Sequence, residues 1–228
     1  MQKLNVIYET NHIIVVEKPV NIPSQGDKTG DISMLSIIKD YLKEKYNKPG
    51  NVYVGLIHRL DRPVGGIMCF AKTSKAAGRL SEEVREGEFN KEYLTVVDGR
   101  LSEKTAILED YLQKDEKTNM SKVVDSKAKN AKLAKLEYEE LYYREDNNIS
   151  LLKIKLYTGR HHQIRVQLAS RGHSIYGDQK YGQRGKQKQI ALYAYKLSIK
   201  DPITKEQLEF KYLPETSGTW SILKNVEL

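Results

Sequence analysis

Short β-branched runs, each closed within a few residues by a turn signal, constrain this chain more than any other feature. Leu4 to Tyr8 and His12 to Glu17 are separated only by Glu9-Thr10-Asn11 and read as a hairpin. Val52 to Ile57, Gly66 to Ala71, Lys91 to Val97, Leu101 to Tyr111, Leu133 to Tyr143, Ile149 to Leu156, Ala191 to Ile199 and Gln207 to Tyr212 read as further strands. A parallel pair needs a crossover of about a dozen residues or more, and most connections here are shorter. The expected fold class is therefore α+β: a mixed, largely antiparallel β-sheet core flanked by helices and loops.

Helical signals are few. Ser33 is placed to cap Met34 to Tyr46, where Leu35, Ile38 and Leu42 recur at helical spacing before Pro49-Gly50 ends the unit. Ser74 is placed to cap a helix through Arg85. Thr158-Gly159-Arg160 forms a turn into a helix from His161 to about Ser170, closed by Gly172. Pro23, Gly26 and Gly30 mark one polar loop, and Gly177, Gly182 and Gly185 mark another. Lys114 to Lys132 is lysine-rich with little to bury, which leaves a loop, a solvated hairpin or a mobile basic arm. No repeat and no domain-joining linker interrupts the 228 residues, so a single domain over 1–228 is expected.

Charge narrows the class of partner. Thirty-eight Lys and Arg against 30 Asp and Glu leave a formal net charge of +8. That excess suits a polyanion, nucleic acid above all, and equally a merely soluble surface. One cysteine, Cys69, excludes an intramolecular disulfide and a paired-cysteine metal site. Its apolar setting, Ile67-Met68-Cys69-Phe70, reads as a buried core thiol. No segment has the apolar length of a signal peptide core or a membrane span, so a cytoplasmic protein without membrane attachment is expected.

Two clusters could carry chemistry. In His58-Arg59-Leu60-Asp61-Arg62 an aspartate is flanked by cations, which favour its ionised form; the bland reading is a surface ion pair. In Thr158-Gly159-Arg160-His161-His162-Gln163-Ile164-Arg165, a helix starting near Arg160 would direct several donors and cations at an anion. Adjacent histidines on such a helix point about 100° apart and make poor co-ligands, so no metal is expected. Tyr93, in Asn90-Lys91-Glu92-Tyr93-Leu94, would alone read as sheet packing.

Taken in order, His58-Arg59-Leu60-Asp61, Lys91-Glu92-Tyr93, Gly159-Arg160-His161-His162-Gln163-Ile164-Arg165, Gly177-Asp178 and Tyr181-Gly182 form a series that resembles the RluA-type family of RNA pseudouridine synthases. Ile13-Ile14-Val15-Val16-Glu17-Lys18-Pro19 and Ala191-Leu192-Tyr193-Ala194-Tyr195-Lys196-Leu197 look like the same family's flanks, so the likeness runs from about Leu4 to Pro214. The departures are Pro63-Val64-Gly65-Gly66, where the family commonly has Asp-Thr-Ser-Gly; His161, where Thr or Ser is usual; and Asn21, where glycine is usual. An amino-terminal S4-like extension of the kind many relatives carry is not expected.

The resemblance implies the pseudouridine synthase fold and isomerisation of uridine to pseudouridine in ribosomal or transfer RNA. It implies no cofactor, no metal and no obligatory protein partner, in a monomer. Asp61 corresponds to the catalytic aspartate, which could attack C1′, add to C6 of uracil, or remove the C2′ proton. Arg165 matches the residue that pairs with it. Tyr93 matches the tyrosine that packs on the uracil, with proton transfer at C5 as its other role. Leu192 lies where the family has an apolar pocket residue. Arg59 resembles the arginine that fills the space left by a flipped base, and Arg62, Arg160 and His162 join it as expected RNA contacts. The alternatives are a catalytically silent RNA-binding module of the same fold, and a metal-dependent nuclease or hydrolase using His58, His161 and His162.

Overall fold

The computed structural model describes residues 4–182 and 189–228. Gly185, expected in the loop with Gly177 and Gly182, lies outside them, as does the start Met1-Gln2-Lys3. In chain order the elements are β1 (Val6–Glu9), β2 (Ile13–Lys18), α1 (Met34–Lys45), β3 (Gly55–Leu56), β4 (Gly65–Ala71), α2 (Ser74–Glu86), β5 (Asn90–Asp98), β6 (Thr105–Asp115), β7 (Met120–Val124), β8 (Lys132–Arg144), β9 (Ile149–Leu156), α3 (Gln163–Ala169), β10 (Leu192–Lys200), β11 (Gln207–Lys211) and a 3-10 helix (Gly218–Asn225). The architecture is mixed α+β, and every strand register described is antiparallel, as expected.

The chain divides into two compact units, one through Asn90 plus Ala194–Leu213, the other Lys91–Tyr193 plus Pro214–Leu228. In the first, β4 is buried along its whole length and pairs with β2, Val15 facing Cys69. Alternate residues Ile13, Val15, Ile67, Cys69 and Ala71 join Ala76 and Leu80 of α2, Phe89, Leu197, Ile199 and Phe210 in one apolar cluster. Cys69 is the expected core thiol, and burial pushes its pKa up. Val52 to Ile57 supplies only two paired residues, because β3 meets β4 on the edge opposite β2, the edge that β10 also occupies. Ser33 caps α1 as expected, in a reciprocal box with Ser36. Thr73, not Ser74, caps α2 by accepting from Ala76 N, and Gly87 ends it in the left-handed conformation.

The second unit is built on the antiparallel neighbours β5, β9, β8, β6 and β7. Leu108 and Leu112 on β6 alternate with exposed residues, and Ala134, Leu136 and Tyr138 on β8 turn to the same interior. The lysine-rich segment resolves the sequence's open choice in favour of a hairpin: β6 runs on to Asp115, turns, and returns as β7 with Asp115 facing Met120. The strand expected over Leu101 to Tyr111 is thereby displaced toward the turn. Helix α3 begins at Gln163 rather than His161 and is almost wholly buried. Asp110 of β6 fixes it, accepting from Gln167 Nε2 at 2.7 Å and from both terminal nitrogens of Arg171. The 3-10 helix was not anticipated; it buries Ile222 and Leu223 and sets Trp220 edge-on to Tyr193.

Candidate active site

In the first unit Asp61 sits, half-buried, in the connection between β3 and β4. Three neighbours in that connection, His58, Leu60 and Val64, are tied down. The His58 ring accepts from Cys69 N at 3.0 Å and leans on Phe89. Leu60 is buried, and its main chain is bracketed by Ser24, whose hydroxyl accepts from Leu60 N at 3.1 Å and donates to Leu60 O at 2.9 Å. Val64 N closes a turn onto Asp61 O. Beneath lies Lys18, fully buried at the end of β2. Its ammonium donates to the carbonyls of Pro19 at 2.9 Å, Ile22 at 2.7 Å and Arg62 at 3.1 Å. Burial pushes its pKa down to about 7; the Asp61 charge works against that fall and Arg62 adds to it.

The flanking arginines differ. Arg62 is engaged by the preceding loop, pairing with Asp31 and donating to Asn21 O and Thr29 Oγ1. Arg59 is exposed. Asn21, the residue that replaces the usual glycine, has φ of 66°, a left-handed value that asparagine tolerates better than most residues. Gly66, in the Pro63-Val64-Gly65-Gly66 departure, has φ of 128°. A side chain there would stand 2.3 Å from Ala194 O.

In the second unit Tyr93 is buried on β5 opposite Ile154, and Leu192 is buried at the start of β10. Arg165 is buried on α3 and meets the equally buried Asp178 through two parallel bonds, Nε to Oδ2 at 2.8 Å and Nη2 to Oδ1 at 2.7 Å. Burial alone would push the Asp178 carboxyl up. The bonds and charge of Arg165, with the main-chain N–H groups of Lys180 and Tyr181, outweigh it and hold the carboxyl below its ordinary value. The guanidinium carbon lies 5.2 Å from the centre of the Tyr181 ring.

The turn before α3 departs from expectation. His162 takes a left-handed conformation with φ of 54°, so His161 and His162 precede the helix. Arg160 N donates not to an anion but to Gln163 Oε1, at 3.0 Å. One of the donors expected to face an anion at a helix start near Arg160 is thus taken up within the turn. The two imidazoles stack with centroids 3.7 Å apart. His161 Nδ1 lies 2.9 Å from Ser121 Oγ, and His162 Nδ1 lies 2.9 Å from Tyr181 Oη. Arg160 is exposed and lies along β8, donating from Nε to Leu133 O. Among the described residues no group of three or more His, Cys, Asp or Glu side chains is placed to hold a metal ion.

The structure thus gathers Arg59, Asp61 and Arg62 on one connection of the first unit, and Arg160, His162 and Arg165 around the start of α3 in the second. Tyr93 and Leu192 lie on strands of the second. A family model described as RNA pseudouridylate synthase matches residues 12–170. The chain belongs to the RluA-type RNA pseudouridine synthases. A protein of Aquifex aeolicus named as an uncharacterized RNA pseudouridine synthase is 34% identical over 186 residues, 78% of this chain and 56% of that one. Ribosomal large subunit pseudouridine synthase C of Rickettsia typhi is 32% identical over 179 residues, 78% of this chain and 56% of the relative. The chain spans between 56% and 66% of the length of the first three curated relatives it matches. The solved structure of human RNA pseudouridylate synthase domain containing 4 has the same fold, with a TM-score of 0.78 at 19% identity, covering 98% of this chain and 94% of that one.

Sequence reasoning named Lys18, Asp178 and Tyr181 only within the motif series, without a role in these two clusters, and missed Ser24.

Proposed function

We propose that this family member isomerises uridine to pseudouridine in structured RNA, in the cytoplasm. The C1′–N1 bond breaks, the uracil turns, C5 bonds to C1′, and the C5 proton is lost while N1 gains one; no redox partner is consumed. Asp61 is the catalytic carboxylate, Arg165 the guanidinium assigned to pair with it, and Tyr93 the ring that packs on uracil. An unperturbed phenol ionises near pH 10, which makes it a poor base at neutral pH, so packing is the assignment for Tyr93. Leu192 supplies an apolar wall. Arg59, exposed beside Asp61, enters the space vacated by the flipped base, and Arg62, Arg160 and His162 contact RNA.

The observation that carries this reading is the family match itself, because residues 12–170 include Asp61, Tyr93 and Arg165 together. The names of the Rickettsia typhi relative and of ribosomal large subunit pseudouridine synthase D of Zymomonas mobilis favour large-subunit ribosomal RNA over transfer RNA. The test is tritium release from C5-labelled uridine in transcripts of both RNAs. Asp61→Asn keeps size and removes the anion, so turnover should fall by more than a thousandfold while RNA binding survives. Residual turnover within about tenfold of wild type is too much for a lost nucleophile or base.

A further inference from the structure

The sequence offered Gly177-Asp178 as a motif without a role, and the structure surrounds it with more constraint than a surface turn needs. Tyr176 N donates to Val96 O of β5 and Ala191 N donates to Tyr176 O, so the turn is anchored to the strand that carries Tyr93. Gly177 has φ of 78°, and a side chain there would meet Gln189 O at 2.2 Å. Asp178 follows, with a relative exposure of 1%. Its Oδ1 accepts from Lys180 N at 2.8 Å and Tyr181 N at 3.2 Å, besides Arg165 Nη2. One carboxylate therefore shapes its own turn and grips Arg165.

Asp178 takes the Nε and Nη2 side of the guanidinium. A guanidinium has five N–H groups in a rigid plane. Of the three that Asp178 does not take, one on each terminal nitrogen forms the Nη1–Nη2 end. Fixing one side of a rigid fork fixes the direction of the other. The Tyr181 ring adds a second restraint on the same group, and its hydroxyl is itself held, accepting from Ser121 N at 2.6 Å and lying 2.9 Å from His162 Nδ1.

We propose that Asp178 is a positioning residue for the isomerisation, acting through Arg165 by holding its guanidinium side-on and so fixing the direction of its Nη1–Nη2 edge. This rests on the reading of Arg165 as part of the active site. Asp178 touches no reacting atom, so its removal should slow the chemical step and leave RNA affinity alone.

The test uses the full chain, C5-tritiated large-subunit ribosomal and transfer RNA transcripts, and Asp178→Asn, Asp178→Glu, Arg165→Ala and the Asp178→Asn/Arg165→Ala double variant. Asp178→Asn should lower kcat at least tenfold with KM within about threefold. In the Arg165→Ala background the same change should have little further effect. By nitrogen-15 NMR the Arg165 Nε–H should be protected from exchange in wild type and lose that protection in Asp178→Asn. If Asp178→Asn does not fold, Asp178→Glu is read instead; it keeps the charge but displaces the fork by one methylene, and should show the same split between kcat and KM. Wild-type kcat in a folded variant, or a loss confined to KM, overturns the positioning role alone. Absence of isomerisation by the wild-type protein on both RNAs overturns the functional reading, and the positioning role with it.

Discussion

Individual residues hold the Asp61 connection in a shape the chain would not take by itself. Lys18 is buried among three carbonyls, one of them Arg62 O, and so joins the end of β2 to the residue after Asp61. Asn21 and His162 sit at positive φ, which costs a β-carbon-bearing residue about 1 kcal/mol or more unless its surroundings enforce it. Gly66 is the stricter case. Its φ of 128° is foreign to L side chains, and its virtual β-carbon would lie 2.3 Å from Ala194 O and 2.6 Å from Ala194 N. These are main-chain atoms of a paired strand, so no rotamer change can relieve the contact. Gly66→Ala should destabilise the protein by about 3 kcal/mol or more, read as a lowered denaturant midpoint at unchanged slope. A variant within about 0.5 kcal/mol of wild type would mean that β4 and β10 separate at little cost. The sequence showed glycines at 65 and 66 but not this reason for them, because the crossing backbone comes from a residue more than a hundred positions away.

Among the elements, strands were the more legible. Short β-branched or apolar runs closed by turn signals marked β1, β2, β4, β5 and β9 to within a residue or two, because both signals are local in sequence. Helix α1 was legible for a similarly local reason, its Ser33 cap and apolar spacing. Two elements were not. Helix α3 has the right apolar stripe, yet His162 takes a left-handed conformation just before it, with its ring against the Tyr181 hydroxyl 19 positions on, which local spacing does not reveal. The β6–β7 hairpin forms from a segment with little to bury, its main chains paired and only Leu112 and Ser121 of its side chains buried between 111 and 124. The docking of α1 shows how a polar group can substitute for apolar contact. Glu9, at the end of β1, accepts from Lys45 at 2.8 Å, Lys72 at 2.6 Å, Tyr41 at 3.0 Å and Tyr46 at 2.8 Å. Burial alone would push its carboxyl up, but those four donors bring it down to about 2. A carboxyl with a folded pKa below its unfolded one stabilises the protein fully above the unfolded value, near 4.5, and loses that contribution as pH falls toward 2. Glu9→Gln should therefore cost about 2 kcal/mol at pH 7, and the gap between variant and wild type should narrow steadily between about pH 4.5 and 2. Denaturant titrations across that range measure it. A gap independent of pH would assign the loss to packing rather than to the anion.

For the molecule as a whole, the net charge of +8 is the property that bears on partner rather than fold. Charge alone left a polyanion and a merely soluble surface equally open; family membership gives the excess a use. Its distribution is testable. The β6–β7 hairpin and the turn after it carry six lysines between Lys114 and Lys132 against three carboxylates. Lys114 is paired with Glu116. Lys122, Lys127, Lys129 and Lys132 are exposed. An ammonium that meets a phosphate releases a condensed counterion, so log affinity falls linearly with log salt, with a slope of about −0.7 to −0.9 per contact. If all four lysines contact RNA, replacing them together by glutamine should flatten that slope by about 3 and weaken binding most at low salt. The same variant should keep the wild-type isomerisation rate at saturating RNA, because these side chains, on β7, the turn after it and the start of β8, are not among the groups assigned to the chemistry. Arg59→Ala should do the reverse. It removes the side chain assigned to the vacated base position, so the maximal rate should drop at least tenfold with the slope changed by one contact at most. Part of that rate should return on RNA whose target uridine is already unpaired, where less stacking has to be broken. Salt titrations of binding and single-turnover rates on paired and unpaired targets separate the two effects. An unchanged slope in the lysine variant would move the RNA contacts off the hairpin. An unchanged rate in Arg59→Ala would make that arginine an ordinary surface charge.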